Sequence, residues 1–287
     1  MPKVHIITDS AANLSPEEAK ELGVTVVPLK VQIGDERVVD GEDLDHEELM
    51  LRMASERVHP QIVGPTPEDF RRVYSRVSKE TNQIISLHSS ASLSTIHRSA
   101  QIASSSFLGR CDIAVMDSQT ISRGLDILTR RAAHLASESV PLTEVRRQIR
   151  GIIQRVYIVL VTDTLDYLQY NGLISATQAV LGNMLEIKPF LMMEEGKIIP
   201  LEKTRGLDNA VDKLADFANE FSDIEEIAII QSAPYATEHT KKLLDSIDAV
   251  DSREECPVLL YGPLLALHIG PDGIGLVVFE GAGQGFF

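Results

Sequence analysis

The chain has no tryptophan and only two cysteines, Cys111 and Cys256, in 287 residues. The cysteines stand apart rather than in a CxxC pair, which gives no basis for a disulfide framework or a zinc cluster. No apolar run approaches the roughly 18 residues of a membrane-spanning helix. The opening MPKVHIITDS lacks the apolar core of a secretion signal. A cytoplasmic protein without an integral membrane segment is therefore expected. Positive charge is also short: 27 Lys and Arg stand against 42 Asp and Glu, a formal net charge of -15. Such a surface repels phosphate backbones and anionic membranes, so nucleic acid is not the expected partner. The motifs GxSxG, HExxH and GxxxxGK[ST] are missing, and no GxGxxG follows the first strand-like run. Neither a nucleophile–base pair, a metal site nor a nucleotide cofactor is expected from that pattern.

What is present is a two-domain α/β pattern. The length suits two ordinary domains, and 44% hydrophobic residues supply a core for each. VHII (4–7), QIISLH (83–88) and DIAVM (112–116) are short apolar runs of the kind buried on both faces of a parallel sheet. Each leads through a polar turn into an amphipathic segment, the signature of βαβ units. Helix starts are marked by Ser15-Pro16-Glu17-Glu18, by Asp45 with Glu48, and by Thr66-Pro67 with Asp69, all in capping-box grammar. Residues 24–41 predict two extended pieces around a Gly34-Asp35 turn. From VYIVLVT (156–162) the pattern changes. A hairpin turning at Glu194-Glu195-Gly196 precedes a helix (208–221), a strand (225–231) and a helix (235–247). The expected organisation is an N-terminal parallel-sheet α/β domain, residues 1–154, and a smaller C-terminal mixed α/β domain, residues 155–287.

Six places concentrate chemistry. The strand-to-helix turn HSSASLSTIHRSA (88–100) carries Ser89, Ser90, Ser92, Ser94 and Thr95. One cap needs one hydroxyl, and free N–H groups beside short hydroxyls at a helix start bind anions. Thr8-Asp9-Ser10 and Asp117-Ser118 repeat the theme on a smaller scale, and there the structural role is favoured. In HPQIVGPTPEDF (59–70), Thr66 is the expected N-cap and the loop is placed to cover one side of a pocket. Near the end, YGPLLALHIGPDGIGLVVFEG (261–281) sets His268 among Leu264, Leu265, Ala266, Leu267 and Ile269, just before a glycine-rich turn. His268 is open to two readings: a satisfied core group, or a head that meets a carboxylate or acts as acid/base. Lys203 and Arg205 form a small basic spot, either plain surface charge or a contact for a phosphate or a partner.

In this order the motifs resemble the DegV family of bacterial fatty-acid-binding proteins with the EDD fold. TDSAANLSPEEAKELGVTVVPL resembles the family opening, and the hydroxyl turn resembles "SSxLSGTYxSA". DSQTISRG and TLDYLQYNGLIS resemble "DS…S.G" and "LEYLxxGGRIS". EIKPFLMMEEGKIIPLEKTRG is similar to "IKPIL…DGxIxPLxKxRG", and GPLLALHIGPDGIGL to "GPVIGTHxGPGALGL". The resemblance covers almost the whole chain. It implies a long-chain fatty acid in a tunnel between two α/β domains and a carboxylate held by hydroxyls. It also implies a separate fatty acid kinase that converts the acid to an acyl phosphate for phospholipid synthesis, so this chain is a carrier without catalytic residues of its own. Carried onto this sequence, the head-group residues are Ser90, Ser94 and Thr95 with His268 close by, and Arg205 matches the arginine linked to the kinase. Five positions depart from the family. Ile62 stands where a threonine donor is usual, so Thr66 or Ser10 would have to replace it. Ala91 replaces a serine, Thr95 a glycine and His97 a tyrosine in the hydroxyl turn, and Leu173 replaces the arginine of "GRI". The competing reading is a small-molecule hydrolase or phosphotransferase using His268, by analogy with the dihydroxyacetone kinase subunits that share the EDD fold.

Overall fold

The computed structural model describes residues 3–56, 58–248 and 256–282. The first strands come from the apolar runs. β1 (His5–Asp9) is followed by α1 (Pro16–Leu22) and β2 (Val24–Val27). β3 (Lys30–Ile33) and β4 (Glu36–Val39) turn at Gly34, whose φ is 60°. Then come α2 (His46–Glu56), β5 (Gln61–Gly64), α3 (Pro67–Val77), β6 (Gln83–His88), α4 (Ile96–Ser104), β7 (Asp112–Asp117), α5 (Arg123–Ser137) and α6 (Leu142–Ile153). A parallel sheet has the order β2-β1-β6-β7, and a small antiparallel sheet the order β4-β3-β5. Ile84, Ile85 and Leu87 of β6 are fully buried, which explains why that strand reads as a continuous apolar run.

One expectation changes here. The first extended piece, 24–33, breaks into two strands that serve two sheets. Pro28 has no N–H to give a ladder, and the next N–H, of Leu29, donates to Ser10 Oγ at 2.9 Å.

The second half supplies β8 (Val156–Thr162), α7 (Asp166–Tyr170), α8 (Ala176–Met184), β9 (Ile187–Glu194), β10 (Lys197–Arg205), α9 (Leu207–Asn219), β11 (Ile224–Gln231), α10 (Glu238–Ser246), β12 (Val258–Leu260), α11 (Pro263–Ile269) and β13 (Gly273–Glu280). Six strands form a mixed sheet of order β10-β9-β8-β13-β11-β12. The expected hairpin is present, with Glu195 and Gly196 both at positive φ, 48° and 79°. That pair matches the twist of the flanking strands. Val159, Phe190, Leu214, Ile229, Leu243 and Leu276 pack into one core.

Backbone packing divides the described residues into two compact units. The first holds residues 3–45, 60–154 and 195–197; the second holds the rest, including 46–56 and 58–59. The chain passes from one to the other between residues 154 and 155, while α2 and the β9–β10 hairpin tip depart from sequence order. The last residues of the expected second domain, 283–287, lie outside the described residues, as do 249–255. Among the described residues no helix is long and apolar enough to cross a membrane.

Candidate functional site

The hydroxyl turn lies in the first unit, between the buried end of β6 and the start of α4. Its base is held tightly. Asp9, fully buried at the end of β1, accepts from the Ser89 N–H at 3.0 Å, the Ser89 hydroxyl at 3.3 Å and the Ala11 N–H at 3.2 Å. Asp117 accepts from the N–H groups of Ala91 and Gln119. The Ser90 N–H donates to the Thr120 carbonyl, and the Ser118 N–H to the His88 carbonyl. The structural reading of Asp9, Asp117 and Ser118 therefore describes their contacts well. Ser90 is buried, and its hydroxyl donates to the Gly196 carbonyl at 2.6 Å while accepting from the Ser92 N–H. Only glycine fits position 196: φ is 79°, and a Cβ there would lie 2.5 Å from Ser90 Oγ.

The far side of the turn is different. Ser94 is half-buried, and its hydroxyl accepts a long bond from the Ile96 N–H at 3.4 Å. Thr95 occupies the N-cap position of α4, is exposed, and makes no side-chain cap bond; the first turn of α4 contains no acid. Four other helices, α1, α3, α8 and α10, begin with closed capping boxes. The start of α4 thus has neither a side-chain cap bond nor an acid of its own, an arrangement that accepts an anion. Burial, outweighing the nearby Asp117, holds the imidazole of His97 in that first turn below its ordinary value.

The two residues placed to replace the missing threonine have their protons committed. Ser10 donates to Asp40 and accepts from the Leu29 N–H. Thr66 caps α3: it accepts from the Asp69 N–H at 3.3 Å and donates to the Asp69 carboxylate at 2.8 Å. Burial alone would raise the Asp69 carboxyl, but Lys30, the Thr66 N–H and hydroxyl, and Arg72 together hold it well below the usual range. Ile62 is half-buried on β5, opposite Val31 of β3.

The second unit contains His268 and Arg205. Residues 263–269 form the short helix α11, opened by Pro263, and His268 is half-buried in its last turn. Below it, Tyr261 is fully buried, donates to the Gly270 carbonyl at 2.7 Å and accepts from the Gly273 N–H at 3.0 Å. Tyr261 therefore pins both ends of the glycine-rich turn, and Gly270 sits at φ 87°, tight against the Tyr167 ring. Arg205 is exposed at the end of β10, the edge strand of its sheet. Leu173 is half-buried, two residues before the capping box of α8. Among the described residues no group of three or more His, Cys, Asp and Glu side chains is arranged to hold a metal ion.

Sequence reasoning did not single out Ser86, Tyr74 or the Gly196 carbonyl, and it took His88 only as the start of the turn. A signal existed: Ser86 and His88 alternate with the apolar Ile85 and Leu87, which places two polar groups on one face of β6.

The DegV family model, described as that of an uncharacterised protein family, matches residues 3–281. A DegV domain-containing protein of Deinococcus radiodurans is 34% identical over 291 residues, covering 98% of this chain and 95% of its own. Another, of Halalkalibacterium halodurans, is 31% identical over 278 residues, covering 96% and 98%. Among solved structures, a DegV family protein of Thermus thermophilus that binds fatty acid is 28% identical, with a TM-score of 0.81 over 97% of this chain and 99% of its own. A Streptococcus agalactiae protein described as a fatty acid binding DegV family protein superposes with a TM-score of 0.86 over 98% and 100%, at 24% identity, a level that speaks for the fold. With a family model spanning nearly all of the sequence and two full-length relatives above 30% identity, this chain belongs to the DegV family.

Proposed function

We propose that this chain is a fatty-acid carrier that binds one long-chain acid and presents its carboxylate to a separate fatty acid kinase in the cytoplasm. The observation that carries this reading is the start of α4, where hydroxyls replace the usual cap and no acid occupies the first turn. A carboxylate moved out of water costs several kcal/mol unless it is hydrogen-bonded. Ser94, Thr95 and the α4 N-terminus meet that need without a cation. Ser90 joins them by exchanging its bond to Gly196 for one to the ligand. The fatty-acid binding of the Thermus thermophilus relative supports the same class of ligand.

In this proposal the acyl tail runs in a tunnel between the N-terminal domain, residues 1–154, and the C-terminal domain, residues 155–287. His268 completes the head-group pocket from the C-terminal side. About 16 carbons at roughly 0.8 kcal/mol per CH₂ give a gross gain near 12 kcal/mol, before association and ordering costs. Ile62 extends the apolar wall where the family usually places a donor. Thr66 and Ser10 do not replace that donor, since each hydroxyl proton is already given to a carboxylate. Arg205 is the contact for the kinase. The chain itself performs no bond-making step; acyl phosphate forms on the partner.

Organic extraction of purified protein followed by mass spectrometry tests the ligand. One fatty acid per chain is expected, and a stripped protein that takes up no hexadecanoate would sink the proposal. With a fatty acid kinase and ATP, Arg205→Glu is expected to bind hexadecanoate normally yet yield little acyl phosphate. Full transfer by that variant would remove the kinase role of Arg205.

A further inference from the structure

Behind the hydroxyl turn runs a fully buried chain of hydrogen bonds. Tyr74 OH lies 2.8 Å from Ser86 Oγ, Ser86 Oγ 2.7 Å from His88 Nε2, and His88 Nδ1 3.0 Å from Asp9 Oδ2. All four side chains are 0% exposed. Burial pushes the Tyr74 phenol up, against the bond to Ser86, so the tyrosine keeps its proton. Ser86 Oγ bridges the Tyr74 hydroxyl and His88 Nε2, while His88 Nδ1 faces the Asp9 carboxylate, which accepts there. At the far end Asp9 gathers His88 Nδ1–H with the Ser89 N–H, the Ser89 hydroxyl and the Ala11 N–H. Phe70 packs edge-on against the His88 ring, with centroids 4.9 Å apart, and blocks its rotation.

The spacing resembles a serine–histidine–aspartate set, yet Ser86 is closed off by Tyr74 and meets no substrate. What the chain of bonds controls is Ser89, the residue joined to Ser90 and five positions before Ser94. Asp9 holds both donors of Ser89, and His88 holds the Asp9 carboxylate in the rotamer that does so. We propose that His88 and Asp9 are positioning residues for the head-group turn: they fix Ser89, and through it set the backbone that aims Ser90 and Ser94 at the fatty-acid carboxylate, without touching the ligand. This inference rests on the carrier function proposed above.

The two ring nitrogens give the test. An asparagine amide can imitate Nδ1–H, while a glutamine amide reaches the place of Nε2. His88→Asn keeps the donor to Asp9 and loses Ser86; His88→Gln keeps Ser86 and loses Asp9. Both lower the thermal midpoint by similar amounts, because each leaves one buried partner unmatched. Hexadecanoate titrations well below that midpoint are expected to separate them, with Asn within about threefold of wild type and Gln at least tenfold weaker. Equal affinity in the two variants, whether kept or lost, overturns the positioning role and leaves a purely structural one. Should neither ring variant fold, Ser89→Ala probes the same link from the turn side. A loss of about threefold is expected, and unchanged affinity overturns the inference. Wild-type protein that binds no hexadecanoate would overturn the carrier function itself, and this inference with it.

Discussion

The N-termini of α3 and α4 lie in the same unit, follow short strands and begin with threonine, yet they are built for different ends. At α3, Thr66 and Asp69 exchange bonds, Glu68 and Asp69 sit in the first turn, and the helix dipole is answered by its own residues. At α4, Thr95 makes no cap bond, the first turn carries no acid, and the Ser94 hydroxyl takes only a long bond from the Ile96 N–H. A closed box satisfies backbone donors locally and leaves nothing for a ligand. An open start costs some helix stability and keeps N–H groups for an incoming anion. The contrast shows that a threonine before a helix says little about function until its proton is traced.

The sharpest way to break the contrast is to give α4 the acid it lacks. Thr95→Asp would set a carboxylate where the ligand's own carboxylate belongs. Like charges about 4 Å apart repel by up to roughly 4 kcal/mol at an effective dielectric near 20, so hexadecanoate affinity should fall by about 100-fold or more. The thermal midpoint should hold or rise, since an anion suits a helix start. Calorimetric titration beside thermal melts reads both, and retained affinity would remove α4 from the site. Next in size is Ser94→Ala, expected to weaken binding about tenfold while stability stays within about 0.5 kcal/mol.

Thr66→Ala should do the reverse: about 1 kcal/mol of stability lost in denaturant titrations, with affinity untouched. Acid should act on the same closed boxes. At α1, the Ser15 N–H holds the Glu18 carboxyl down to about 2, against burial and with help from Arg130. Asp69 at α3 is depressed by its own donors. Carboxyls held below their unfolded values contribute stability that is complete above about pH 5 and is lost as pH falls from the ordinary carboxylate range near 4 toward 2. Glu18→Gln and Asp69→Asn should flatten that fall; an unchanged acid limb in the double variant would refute it. The smallest effect expected is from Ile62→Thr, which restores the family's donor: affinity should tighten a few-fold, at a cost of about 1 kcal/mol from lost apolar burial.

Much of the fold was legible in residues close together in the chain. Ser15 with Glu18 and Thr66 with Asp69 are three residues apart, and both boxes form as their letters promise. The runs that became β1, β6, β7 and β8 announced themselves because strands buried on both faces need apolar residues throughout. The hairpin at Glu195-Gly196 followed from turn chemistry alone. Less legible was the break at Pro28, whose other half is Ser10, 19 residues back along the chain from Leu29. The segment 263–269 reads only as apolar residues around one histidine, and in the fold it is a helix held by Tyr261 through the turn that follows it. His88 was equally opaque, because its meaning depends on Asp9, 79 residues away.

The sequence by itself determined most of the elements, their polarity and the family, because periodicity, caps and turns are settled by contacts within a few residues. Tertiary structure alone decided which hydroxyls are spent and which remain. Ser10 and Thr66 give their protons to carboxylates, Ser90 gives its proton to Gly196, 106 residues distant, and Ser94 and Thr95 stand at an uncapped helix start. A hydroxyl has one proton to donate, and which acceptor receives it depends on groups that the fold, rather than the neighbouring residues, brings within 3 Å or so.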